Sequence, residues 1–145
     1  MDVINYTLYT NSHFVVEQCR SCPLPGYLIA SPVHEAVQLD ELPPAAASLL
    51  GPTLVRVVAA VKQVLQPVRI YCAQFGEEQH QLHFHIFPRT TEITQAYLKH
   101  KPEQRELIHG PVLFDWARDK YKDLPVSQQT QDVMEKIRYL LSNAG

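Results

Sequence analysis

The sequence predicts an α+β fold: an antiparallel sheet of about five strands, a long helix packed on it, and further helices at the C-terminal end. Three observations predict it. Short strand-like runs separated by turn residues fill the first part of the chain. A long segment rich in Ala, Leu and Val at helical spacing follows. Two more strand-like runs come next, and after them the patterning is helical. At 145 residues the chain reads as one domain, with a core over 6–90 and a helical extension over 91–145.

Tyr6-Thr7-Leu8-Tyr9 reads as a short strand, with Asn11-Ser12 as its turn. His13-Phe14-Val15-Val16-Glu17 is a stronger strand, because β-branched and aromatic side chains suit a pleated surface. Pro23, Pro25 and Gly26 then make a turn between antiparallel neighbours. Tyr27-Leu28-Ile29-Ala30-Ser31 is the next strand, stopped by Pro32 and expected to pair with the preceding one. Asp40 is expected to cap a helix, with Glu41 in its first turn. From Ala45 to Gln66, residues Leu50, Leu54, Val57, Val58, Val61 and Leu65 form an apolar stripe. Gly51-Pro52 should kink or divide that helix, and Pro67 marks its exit.

Val68-Arg69-Ile70-Tyr71-Cys72-Ala73 is a strand, and residues 74–78 form a loop. From Gln81 to Phe87 polar and apolar residues nearly alternate, the period of a strand with one buried face. Pro88, with no N–H, is expected at that strand's end. Ile93 to Lys99 is a short helix or an irregular segment, interrupted by Lys101-Pro102. Pro111 to Tyr121 reads as a helix with Leu113, Phe114, Trp116 and Ala117 as apolar contacts. Ser127 is expected to cap a last helix through Leu141, with Val133, Met134, Ile137, Leu140 and Leu141 on one side.

Composition narrows the function. Apolar content of 46% and charged content of 19% are ordinary for a globular chain, and a net charge of -2 gives no reason to expect nucleic-acid binding. No apolar run approaches the roughly 18 residues of a spanning helix, and Met1-Asp2-Val3-Ile4-Asn5 lacks a basic head or signal core. The expectation is a cytoplasmic protein without a membrane partner. Three cysteines do not suggest a disulfide framework.

The alternation over 81–87 places Gln81, His83 and His85 on one face and Leu82, Phe84 and Ile86 on the other. Histidine titrates near neutrality, so such a pair can attack as nucleophile, move protons or bind metal. The bland reading is two surface histidines on a half-exposed sheet. A zinc reading rests on Cys19-x-x-Cys22, but no second such pair follows, and His34 or another distant residue would have to complete the site. A cupin-like metal site is disfavoured because no acid follows His85 within four residues. No metal and no cofactor are expected.

The flanks carry more. Gln81-Leu82-His83-Phe84-His85-Ile86-Phe87-Pro88-Arg89 resembles the signature of the histidine-triad family, His-φ-His-φ-His-φ-φ commonly followed by Pro-Arg. Pro25-Gly26-Tyr27-Leu28-Ile29-Ala30-Ser31-Pro32-Val33-His34 is similar to that family's Pro-Gly-His-hydrophobic-hydrophobic-Pro-x-x-His segment. Gln74-Phe75-Gly76 resembles its polar-x-Gly turn. The resemblance covers Phe14 to Arg89. It implies a nucleotide cleft over an antiparallel sheet, a homodimer, and hydrolysis or transfer of nucleotidyl groups from dinucleoside polyphosphates or nucleoside phosphoramidates.

By position, the resemblance makes His83 the nucleophile that forms a nucleotidyl-histidine intermediate, and His85 the hydrogen-bond donor to the α-phosphate. Gln74, Tyr27, Glu17 and Arg89 become substrate-binding candidates, Glu17 at the ribose (with Gln18 as its alternative) and Arg89 either at phosphate or as a local anchor. Phe114, Trp116 and Tyr121 either close over a base or pack in the core or at a dimer interface. The departures are clear. Gln81 stands where the first triad histidine is expected and can orient a neighbour but not titrate. His80 has the wrong strand parity to replace it. Glu77 and Glu78 would repel a polyphosphate. A second reading is therefore a nucleotide-binding module with little or no catalysis, and a third is a zinc-containing relative.

Overall fold

The computed structural model describes residues 3–143. Its strands are β1 (Thr7–Thr10), β2 (Phe14–Gln18), β3 (Leu28–Pro32), β4 (Arg69–Ala73) and β5 (Phe84–Arg89). Its α-helices are α1 (Pro44–Leu65), α2 (Thr91–His100), α3 (Gly110–Lys120) and α4 (Gln128–Asn143). The strands form one sheet in the order β1-β2-β3-β5-β4, with every neighbour antiparallel. This is the α+β arrangement that the pattern predicts, including the β2–β3 pair, which runs from Phe14↔Pro32 to Gln18↔Leu28.

One face of the sheet carries the main core. Leu8, Val16, Leu28, Ala30 and Ile86 meet Val57 and Val61 of α1 and Met134, Ile137 and Leu141 of α4. On the opposite face Tyr27 and Phe87 pack with Ile93 and Tyr97 of α2 and with Leu113, Phe114 and Ala117 of α3. These two helices cover only part of that face. The strip over β2, β3 and the start of β5 stays open as a cleft.

The structure corrects the reading of α1 in three respects. First, Asp40 does not cap it. Asp40 lies in a separate 3-10 turn, Leu39–Glu41, and α1 begins at Pro44 with Pro43 as N-cap. The reason is steric: a residue before proline is pushed out of the α region, so Leu42 and Pro43 stay extended, while proline itself is accepted in the first helical turn. Second, of the kink or division expected at Gly51-Pro52, the division does not occur, because the helix runs through both residues. Pro52 sits on the exposed side, where water can satisfy the carbonyl it leaves without a donor. The buried Thr53 hydroxyl donates to Leu49 O at 2.7 Å and accepts from Asn11 Nδ2 at 3.0 Å, which ties this part of the helix to the turn after β1. Third, α1 spans 22 residues with a window of mean hydropathy 1.5, so by length and composition it meets the criterion for a spanning helix that no run was expected to approach. Here Ala46, Thr53, Val57, Ala60 and Val61 form the side that packs inward.

The last helix follows expectation more closely. Ser127 Oγ accepts from Thr130 N at 3.0 Å, and the buried Thr130 hydroxyl donates to Pro23 O at 2.9 Å. That bond ties the start of α4 to the proline-rich turn after β2. The segment read as a short helix or irregular stretch is α2, capped by the Thr90 side chain accepting from Ile93 N.

β5 differs from its sequence pattern at both ends. Pairing with β3 covers only Ala30↔Phe84 to Leu28↔Ile86, so the strand begins at Phe84 and not at Gln81. At the other end Pro88 lies inside the strand. It pairs with Ile70 of β4, while on the β3 side the chain has already turned at Gly26. A missing N–H is harmless there. Gly26 itself has φ +75, and a Cβ on it would collide with the Leu65 side chain.

Candidate active site

His83 and His85 come together on the open face. Their ring centroids lie 4.9 Å apart, with planes inclined at 64°. Both line a cleft of about 650 Å³ bounded by β2, β3, the 75–79 loop and α3. The apolar walls are Ile29, Phe75 and Phe114, with the Phe114 ring 5.5 Å from that of His85.

Hydrogen bonds assign the protons of both imidazoles. His83 Nδ1 lies 2.8 Å from the carbonyl oxygen of Gln81. A carbonyl can only accept, so Nδ1 carries the proton, and in the neutral ring Nε2 keeps its lone pair. His85 Nδ1 lies 2.7 Å from the Tyr27 hydroxyl. Tyr27 is fully buried and has no other side-chain partner among the described residues. Burial, reinforced by Cys19 nearby, raises its pKa, so it keeps its proton. Only by donating to His85 does that buried hydroxyl find an acceptor, which leaves the His85 proton on Nε2. Burial, with the neighbouring His83 and Arg118 adding to it, lowers the His85 pKa from 6.5 to about 4. The two rings thus have opposite character: His85 is uncharged near neutrality and offers a free Nε2–H, whereas the neutral form of His83 offers the Nε2 lone pair.

The remaining candidates divide. Glu17 lines the cleft but is paired with Arg20 at 3.1 Å. Gln18 lines it too, and its amide donates to Leu24 O at 2.8 Å. Tyr27 borders the cleft from below, with its hydroxyl committed to His85. Gln74 is exposed and is not part of the wall; its amide lies beside Gly76. Arg89 is buried at the far end of β5, where it donates to Thr94 Oγ1 at 3.0 Å, so its place is that of a local anchor. Gln81 leaves the shared face that alternation assigns to it. Its side chain bonds to the turn after β3, donating to His34 O at 2.8 Å. His80 is exposed and lies outside the cleft wall.

The aromatic trio of α3 also divides. Phe114 faces the cleft, whereas Trp116 packs against Tyr97, His100 and Tyr121 on the other side of the helix. Sequence reasoning passed over Arg118, one turn beyond Phe114, which lines the cleft with its guanidinium 5.4 Å from the Phe114 ring centroid. The signal was present: Pro111, Phe114, Asp115 and Arg118 have helical spacing and share the cleft side of α3. Phe75, which the sequence places only in a turn, stands at the mouth.

The residues weighed for zinc do not converge. Cys19 and Cys22 are buried in the second core cluster, and burial, with Cys19 adding to it, pushes the Cys22 thiol up to about 12, so it stays protonated. A ring nitrogen of His34 is engaged by His13 at 3.0 Å. Among the described residues, no three His, Cys, Asp or Glu side chains are placed to hold a metal ion.

No family model matches the sequence, and no curated protein sequence matches it. Solved structures do. A Hit-like protein involved in cell-cycle regulation from Bartonella henselae, solved with an unknown ligand, superposes with a TM-score of 0.63 at 18% identity, covering 96% of this chain and 88% of that one. A hypothetical histidine triad nucleotide-binding protein from Sulfolobus tokodaii gives 0.66 at 13% identity, covering 97% and 86%. A Zn-bound histidine triad family protein from Mycobacterium smegmatis gives 0.62 at 14% identity, also covering 97% and 86%. The structural neighbours are histidine-triad proteins, and the fold of this chain is theirs.

Proposed function

We propose that the cleft binds a nucleotide and that the protein is a nucleotidyl hydrolase or transferase acting at the α-phosphate, with His83 as nucleophile. The observation that carries this reading is the Gln81 carbonyl on His83 Nδ1, which leaves the Nε2 lone pair free in a protein-lined cleft. In the reaction Nε2 bonds to phosphorus, and the leaving group departs with its bonding pair, an amine taking up a proton from solvent as it leaves. Water then bonds to phosphorus, the P–N pair returns to Nε2, and the surplus proton passes to solvent. His85 Nε2–H meets the charge that develops on the non-bridging oxygens, and loss of such a donor costs about 2.7–4 kcal/mol of transition-state stabilisation. The apolar walls at Ile29, Phe75 and Phe114 suit a base. Leaving groups compatible with this chemistry are a nucleoside polyphosphate or the amine of a phosphoramidate. The acidic loop at Glu77 and Glu78 favours the amine.

The test is incubation with adenosine 5′-phosphoramidate and with diadenosine polyphosphates, following AMP release and intact protein mass. AMP release and a one-nucleotide adduct on His83 are expected, both abolished in His83→Ala. A non-titrating Gln81 favours a second reading, a binding module without turnover. Equal nucleotide binding by wild type and His83→Ala, with no AMP and no adduct from any substrate, would establish that reading. β4 lies at the edge of the sheet, which supports a homodimer formed along it, and sedimentation of the full chain tests this.

A further inference from the structure

The geometry points to residues 32–36 as the element that positions the nucleophile, with the Gln81 side chain as its tie. This rests on the reading of His83 as nucleophile. The ladder between β3 and β5 ends at Ala30↔Phe84, so residues 81–83 have no strand partner there. Yet the Gln81 carbonyl must stay in place for His83 to keep its proton on Nδ1.

What holds that carbonyl comes from across the gap. Gln81 Nε2 donates to His34 O at 2.8 Å and approaches Pro32 O at 3.4 Å, while Ala36 N donates to Gln81 Oε1 at 3.4 Å. One residue on, Leu82 N donates to Ala36 O at 2.7 Å. The turn is itself tied back to the start of β2. Val33 N donates to His13 O at 2.9 Å, and His13 Nδ1 and His34 Nε2 share a proton contact at 3.0 Å. Buried Leu82, Ala36 and Phe14 fill the space beneath.

An amide suits this task. It donates at one end and accepts at the other, and it does so at any pH. Gln81 is therefore a positioning residue that acts through its backbone carbonyl on His83, and it touches no reacting atom.

The test reads the tautomer directly. Long-range proton–nitrogen correlations on protein with 15N-labelled histidine should show His83 as a single Nδ1–H form. Gln81→Met removes the tie. Gln81→Glu keeps the length but cannot, as a carboxylate, donate to His34 O. Both should show His83 sampling both tautomers, with kcat lower by about tenfold, the weight of one hydrogen bond, and KM nearly unchanged. If neither variant folds, His13→Phe, which loosens the turn from β2, is read the same way. A wild type with mixed tautomers overturns the inference, and so do folded variants that keep the single form. If the tautomer responds as expected but wild type turns over no substrate, the catalytic reading fails while the tie stands.

Discussion

His85 should make the fold sensitive to acid in a way that can be isolated. Its pKa falls from 6.5 to about 4 on folding, mainly through burial. Between those values the unfolded imidazole takes up a proton that the folded one refuses, so acid favours the unfolded chain. The contribution is nil above pH 6.5 and grows as the pH falls towards 4. At about 1.4 kcal/mol per tenfold change, the full shift corresponds to about 3 kcal/mol. One edge of the ring faces the water of the cleft, which lowers the expected effect to about 2 kcal/mol. Carboxylates titrate in the same range, so the wild type alone is uninformative. His85→Gln removes the titration and keeps an acceptor for the Tyr27 hydroxyl. Urea unfolding of both proteins at intervals from pH 7.5 to 4.5 gives the stability gap between them. That gap should shift by about 2 kcal/mol in favour of the variant as the pH falls. A gap constant to within about 0.5 kcal/mol, with equal m-values, would refute the burial argument for His85.

Two further outcomes follow from the same geometry. Tyr27→Phe leaves His85 Nδ1 buried without a partner, so stability to urea should fall by about 1–2 kcal/mol. With the tautomer of His85 no longer set, kcat should fall about tenfold more than KM changes in steady-state assays. Among the described cleft residues Arg20 is paired with Glu17, whereas Arg118 has no ion-pair partner and is free to meet phosphate. Arg118→Ala should raise KM about tenfold, the weight of a charge-assisted hydrogen bond, and leave the urea midpoint nearly unchanged.

The fold was legible because its elements are periodic: alternation in β2 and β3 and the stripe of α1 are local properties of the chain. Errors arose where a non-local or steric fact outranks a local preference. Asp40 and Glu41 make a good helix start, but Leu42-Pro43-Pro44 moves that start by two prolines. Gln81 obeys the parity of the strand in sequence, but parity holds only where a ladder exists, and the β3 ladder stops at Phe84. Released from the sheet, Gln81 turns its side chain to the 32–36 turn and only its carbonyl to His83. The substitution that looked like a lost catalytic group thus falls at a point where the chain needs a tie. A histidine side chain can change charge near neutrality, while an amide keeps its donor and acceptor unchanged. The site also fixes the proton on Nε2 of His85, and the residue that does so, Tyr27, lies 58 positions earlier in the chain. Spacing within one strand could show that two imidazoles share a face. Which nitrogen each presents depends on a donor at Tyr27, just before β3, and on an acceptor in the bend before β5, and those partners are in place only once the sheet has closed.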